Sequence, residues 1–260
     1  MISLVDQIGH TLNLSHSPLR IVSLVPSITE TLCCIGLQDQ IVGVTKFCVH
    51  PTNIKKNSKV IGGTKNPNII KILSLKPDFI IANKEENRQE DIEILRKYLP
   101  VYTSDITTSV DHLRFLSDLQ SIFPNSKVTK LIVTLSEILP YQSNKIIRSS
   151  YLIWKDPWMT IGNDTFIHHM MEKYGFTNVF GNLKRYPIVI LEEIKAARPD
   201  VLLLSSEPYP FKEKHIAELA EIFPDIAIKL VDGELFSWYG PRMIEAHGYL
   251  KGLQESVILK

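Results

Sequence analysis

The stretch LKPDFIIANKE, residues 75–85, returns in outline 122 residues later as ARPDVLLLSSE, residues 197–207. Each copy sets a basic residue before Pro–Asp, then four apolar residues and two small or polar ones, with a glutamate seven positions after the aspartate. Proline lacks an amide hydrogen and pushes the residue before it out of the helical region, so a helix ends at this point. Four contiguous apolar residues suit a strand buried on both faces, as in a parallel sheet covered by helices. A chain that builds this corner twice is confined to an α/β architecture, and the spacing predicts two α/β lobes.

The rest of the chain keeps the same rhythm. RIVSLV predicts a short strand, and Ser27-x-x-Glu30 has capping-box spacing for a helix from Ile28 to Gly36. QIVGVT, FIIAN and VYTS read as strands, with a helix capped by Asn68 and another in RQEDIEILRKYLP between them. From about Ser109 to Gln142 the strands stop, and two segments carry apolar residues at helical spacing. The alternation then resumes with strand SSYLIWK, a helix in TFIHHMMEKYG capped by Asp164 and closed by Gly175, helix VILEEIKAA, strands DVLLLSS and IAIKLVD, and a last helix from about Pro241. The predicted domains are an N-terminal lobe over 1–108, a helical connector over 109–144, and a C-terminal lobe over 145–260. In open parallel sheets, loops at the carboxyl ends of the strands bind ligands, so the expected site is a cleft between facing lobes.

Composition narrows the function. The 29 Lys and Arg balance 28 Asp and Glu, which argues against a generally basic nucleic-acid binder. No apolar run approaches the ~20 residues of a membrane helix, and the first residues lack the basic and continuous apolar regions of a signal peptide. As written the chain is expected to be cytoplasmic, or periplasmic if a leader lies outside this numbering. Cys33, Cys34 and Cys48 have no metal-ligand spacing.

RIVSLVPSITETL, IVGVT, IGGTKNPNIIKILSLKPDFIIA and AARPDVLLLSS, in this order, resemble the helical-backbone (class III) substrate-binding proteins of ABC importers, closest to the cobalamin-binding branch. The resemblance spans essentially the whole chain. It implies two Rossmann-like lobes with mainly parallel sheets joined by one long backbone helix, here within residues 127–141. It also implies a ligand held between the lobes, a non-enzymatic role and delivery to a membrane permease. Cobalamin or another corrinoid, haem and ferric siderophores are the ligands of the related branches, and a monomeric carrier is expected. The family docks with one surface carboxylate per lobe. Glu207 fits that role in the second lobe, whereas Ile69 and Ile70 stand where the first lobe would carry its acid. Phe47 lies in a loop where cobalamin binders carry aromatic contacts; Thr64 falls near a tryptophan position, so one stacking group is missing.

Aromatic residues concentrate in the loops of the second lobe: Trp158, Tyr209, Phe211, Phe236, Trp238 and Tyr239. Flat rings with polar tips suit a large planar ligand. Trp154, half within its strand, is expected to pack structurally instead. Facing them from the first lobe are Pro26, Ser27, Phe47, Thr64 and Lys65, while Gly62 and Gly63 permit close backbone approach. Arg242, at the start of the last helix, either meets an acidic ligand group or fixes its loop through a salt bridge. The eight histidines are scattered, and only His50 falls in a candidate loop, so no dedicated metal site is expected. The alternative to a binding protein is a cytosolic α/β enzyme, or an intracellular carrier or sensor using the same cleft. For the enzyme, Cys48 would be the nucleophile with His50 nearby, and Glu85, Glu86, Asp156 and Glu207 the acids.

Overall fold

A computed structural model describes residues 1–258. The chain divides into two compact units: Met1–Glu137 with Tyr239–Pro241, and Ile138–Trp238 with the chain from Arg242 onward. Residues 109–137 pack with the first unit, and the chain enters the second within the last turn of a helix.

The first unit opens with an antiparallel hairpin, β1 (Ile2–Val5) and β2 (Thr11–Leu14). Its main sheet is wholly parallel, in the order β5-β4-β3-β6-β7. The strands are β3 (Ile21–Ser23), β4 (Ile41–Val44), β5 (Lys59–Val60), β6 (Phe79–Asn83) and β7 (Val101–Ser104). Helices α1 (Pro26–Cys34), α2 (Ile54–Asn57), α3 (Ile69–Ser74), α4 (Gln89–Arg96), α5 (Ser109–Ile122) and α6 (Ser126–Ile138) complete it. All five residues of β6 are buried, as a strand at the middle of a covered parallel sheet requires.

The second unit has a four-stranded parallel sheet, β11-β10-β8-β9. Its elements run β8 (Ile147–Leu152), α7 (Phe166–Lys173), β9 (Phe176–Asn178), α8 (Leu191–Ala197), β10 (Val201–Ser205), α9 (Glu213–Ile222), β11 (Ala227–Val231), α10 (Glu234–Ser237) and α11 (Arg242–Ile258). Leu152, Ile194, Leu202, Leu204, Leu219 and Phe223 form part of its core.

The repeated corner is one construction used twice. Asp78 accepts from the amides of Leu19 (2.9 Å) and Arg20 (2.8 Å), while the Arg20 guanidinium donates to the carbonyls of Leu75 and Lys76. Asp200 likewise accepts from the Arg148 amide (2.8 Å), and the Arg148 guanidinium donates to the carbonyls of Ala197 and Arg198. The basic residues before Pro–Asp, Lys76 and Arg198, both adopt left-handed backbone, at φ 47° and 48°. In each unit the brace ties the end of a helix to the strand beside the buried one, β3 beside β6 and β8 beside β10.

Two cap assignments differ from expectation. Val25 precedes α1 and Pro26 takes its first position, where the missing amide hydrogen is no loss; Ser27 lies inside the helix and is buried. Thr165, rather than Asp164, caps α7, because Asp164 accepts from the Arg185 amide at 2.6 Å. Asn68 caps α3 as expected, accepting from the Lys71 amide.

Candidate functional site

In each sheet the connections leave in opposite directions from one pair of central strands: β3 and β6 in the first unit, β8 and β10 in the second. Loops leaving the carboxyl ends at such a switch point diverge and open a crevice. The candidate residues follow the carboxyl ends of strands in both sheets: Pro26 and Ser27 after β3, Phe47 after β4, Thr64 and Lys65 after β5, Trp154 and Trp158 after β8, Tyr209 after β10, and Phe236, Trp238, Tyr239 and Arg242 after β11.

In the first unit Asn87 organises the loops. Its side-chain amide donates to the carbonyls of Leu24 (3.3 Å) and Thr64 (3.0 Å), and its oxygen accepts from the Asn83 amide (2.9 Å). One buried residue thus fastens the chain after β3, β5 and β6. Asn83 in turn accepts from the amides of Glu85 and Glu86, closing the turn that presents both glutamates half-buried. Sequence reading named this loop without singling out Asn87; an asparagine four residues beyond a buried strand asparagine is the signal it carried.

Pro26 is half-buried and Ser27 buried at the head of α1. Thr64 is buried, and Lys65 is exposed with its ammonium donating to the Glu85 carbonyl. Phe47 is half-exposed, with the Lys46 ammonium 4.9 Å from its ring centre. Gly62, at φ +113°, makes a tight turn against its own chain: a Cβ there would lie 2.6 Å from the Asn66 carbonyl oxygen. The close approach expected of the Gly62–Gly63 pair is therefore satisfied internally.

Tyr239 belongs to this unit. Its buried ring packs on His112 (centroids 5.5 Å) and Phe115 (6.4 Å) of α5, with its hydroxyl beside Ser27 and Ser104. The expectation that Tyr239 forms an open aromatic surface of the second lobe is corrected, because it is core of the first unit. His112 is wholly buried with both ring nitrogens unpartnered, and burial lowers its pKa to about 3. Cys48 is wholly buried too, within hydrogen-bond distance of the Thr29 and Thr45 hydroxyls, and burial raises its pKa. Such a thiol is not poised as a nucleophile.

In the second unit the two tryptophans of the β8 loop differ in exposure, Trp154 being exposed and Trp158 half-buried. Trp154 is 38% exposed, with the Tyr209 ring edge-on at 5.6 Å. Trp158 instead lies parallel to buried Phe211 (centroids 6.1 Å, 5° between planes) and packs on the core. Its carbonyl accepts from the Val189 amide, and the Lys155 ammonium lies 5.6 Å from its ring centre. The reason lies in the turn: Trp154 and Met159 pair across it, which throws Trp154 outward and folds Trp158 back. Half-buried Tyr209 is held by its amide, which donates to the Ile153 carbonyl, and by Phe211 at 4.7 Å. Phe236 is wholly buried against Tyr151 (4.9 Å), so its expected place in the binding surface is corrected to the core.

The end of β10 and the segment around α10 lock together. One oxygen of Glu207 accepts from the Ser237 hydroxyl (2.9 Å) and from the Trp238 indole N–H (3.0 Å). Burial, foremost, raises the Glu207 pKa, and nearby Glu234 and Asp232 add to the rise. The Arg242 guanidinium lies 5.3 Å from the Trp238 ring centre and 3.2 Å from the Glu234 carboxylate. Of the two roles open to Arg242, the observed one is the salt bridge that fixes its loop. Glu207 was expected to face a permease, but using this carboxylate outward would break both bonds. Trp238 itself is only 8% exposed. Among the described residues, no group of three or more His, Cys, Asp or Glu is arranged to hold a metal, and no helix is long and apolar enough to cross a membrane.

A profile of the periplasmic binding protein family matches residues 21–122, from β3 through α5. The vitamin B12-binding protein of Vibrio vulnificus is 28% identical over 204 residues, covering 75% of this chain and 74% of its own length. The chain is similar to class III substrate-binding proteins of ABC importers, near their cobalamin-binding branch. A substrate-binding lipoprotein of an ABC transporter from Bacillus subtilis, itself uncharacterized, is 27% identical over 278 residues, covering 98% of this chain and 85% of its own length. The crystal structure of the periplasmic vitamin B12 binding protein BtuF of Vibrio cholerae superposes with a TM-score of 0.82 at 22% identity, covering 94% of this chain and all of that one. The substrate-binding-protein likeness therefore reaches well beyond residues 21–122, over nearly the whole chain.

Proposed function

We propose that this chain is the substrate-binding component of an ABC importer, which captures a large corrinoid or metal-chelate ligand and delivers it to a membrane permease outside the cytoplasm. The single observation that carries the ligand class is the aromatic ledge at the β8–β10 switch point, where exposed Trp154 meets half-buried Tyr209. Rings fixed edge to face present broad apolar area with a polar rim, which suits a macrocycle with amide or carboxylate substituents. Half-exposed Phe47 and exposed Lys65 supply an apolar and a cationic contact on the loops of the first unit. The buried, raised-pKa Cys48 speaks against nucleophilic catalysis at the neighbouring loop.

Titration with cyanocobalamin or haemin, followed by quenching of tryptophan fluorescence, tests the assignment. We expect Trp154→Ala to weaken binding about tenfold or more, in the range for losing one well-placed aromatic anchor. Trp158→Ala should chiefly lower stability. Undiminished affinity in Trp154→Ala would remove the ledge from the site.

A further inference from the structure

We propose that Glu207 is a positioning residue for ligand capture: its carboxylate holds the Trp238 indole and the α10 segment against the Tyr209 loop. The inference rests on the reading that the loops at the carboxyl ends of β10 and β11 meet the ligand. Four observations converge on it.

First, Glu207 Oε1 accepts from the Trp238 indole N–H (3.0 Å) and lies 2.9 Å from the Ser237 hydroxyl, whose one proton is shared with the Gly233 carbonyl (2.8 Å). Second, the backbone is shaped around the clasp. The Ser205 hydroxyl donates to the Glu207 carbonyl (2.6 Å), the Gly233 amide donates to the Ser206 hydroxyl (2.9 Å), and a Cβ on Gly233 would lie 2.6 Å from Glu207 Cγ. Third, the indole is held again on its face by Arg242, itself tied to Glu234. The chain of contacts runs from Glu207 through Trp238 and Arg242 to Glu234, then returns along α10 to Ser237. Fourth, the position is a poor one for a carboxylate, being part-buried with Glu234 and Asp232 nearby. The indole N–H can only donate and the Glu207 side chain offers it an acceptor oxygen, so the pair has a single sense. Glu207 also begins the segment that carries Tyr209. Fixing Trp238 to Glu207 therefore fixes the spacing between the loop after β10 and the loop after β11.

The test uses the whole protein in five forms: wild type, Glu207→Ala, Glu207→Gln, Trp238→Phe, and the double variant Glu207→Ala/Trp238→Phe that closes the cycle. Affinity for cyanocobalamin and haemin is measured beside the ¹H–¹⁵N resonances of the tryptophan indoles. We expect Glu207→Ala to weaken binding about tenfold, the scale of one lost hydrogen bond to a charged group, and to move the Trp238 indole resonance. Glu207→Gln keeps an acceptor oxygen and should restore most of the affinity. In the Trp238→Phe background the alanine substitution should have little further effect. Wild-type protein that binds a probe while Glu207→Ala binds equally well, or additive effects in the cycle, would overturn the positioning role alone. Wild-type protein that binds neither probe would defeat the ligand reading and, with it, any role of Glu207 in capture; an unmoved Trp238 resonance in Glu207→Ala would overturn the clasp itself.

Discussion

Glu207 and His112 are two titratable groups whose burial makes stability depend on pH, in opposite senses. The Glu207 carboxyl has a raised pKa in the folded chain, so the folded state binds a proton more readily than the unfolded one. Its contribution is fully present below the unfolded pKa and is lost as pH rises through the folded pKa. Glu207→Gln should therefore raise the midpoint of thermal unfolding at pH 7–8, with the gain vanishing near pH 4. An equal gain at both pH values would show that the carboxyl titrates normally. For His112 the folded pKa falls to about 3 from an ordinary 6.5, so its contribution is full above pH 6.5 and declines as pH falls toward 3. One proton's worth of linkage is about 1.4 kcal/mol per pH unit. His112→Leu should flatten the acid limb by that slope in urea unfolding across pH 4–6; an unchanged slope would mean the ring is protonated in the fold. Neither environment was legible in the sequence. Helical spacing placed His112 on α5, but only the structure shows Tyr239 covering it.

Among the elements, the two Pro–Asp braces carry a large share of the architecture. Asp78 satisfies two backbone amides ahead of β3 and Asp200 one at the start of β8, and each arginine satisfies carbonyls that a helix leaves unpaired at its end. Asp78→Ala and Asp200→Ala should each lower unfolding stability by roughly 1–3 kcal/mol in denaturant titration. The two braces share no partner, so the double variant should show the sum; a clearly smaller sum would indicate coupling between the corners. This is also where the sequence was most informative. Uninterrupted apolar runs such as FIIAN and VLLLS have one stable use beside helices, and both became buried strands. The hairpin β1–β2, the three-residue strand β9, and helices α9 and α10 were not anticipated. The hairpin is held by its neighbours rather than by its own pattern: buried Asp6 binds Arg96 (2.9 Å) and the Thr103 amide, tying the hairpin turn to the edge of the sheet. The aromatic loops were legible as a group but not ring by ring. Which of Trp154 and Trp158 faces outward depends on a turn pairing that no single-residue preference encodes.

At the scale of the whole molecule, the chain builds two α/β units with related corners and places its candidate residues on the loops at the carboxyl ends of both sheets. The proposed ligand class rests on the likeness to vitamin B12-binding proteins and on the aromatic ledge of the second unit. The most direct measurement is equilibrium dialysis of the purified protein against cyanocobalamin, cobinamide, haemin and a ferric siderophore. Tight retention of one of these at close to one molecule per chain is the predicted result. Retention of none, by protein whose unfolding remains cooperative, would contradict capture of a corrinoid or metal chelate.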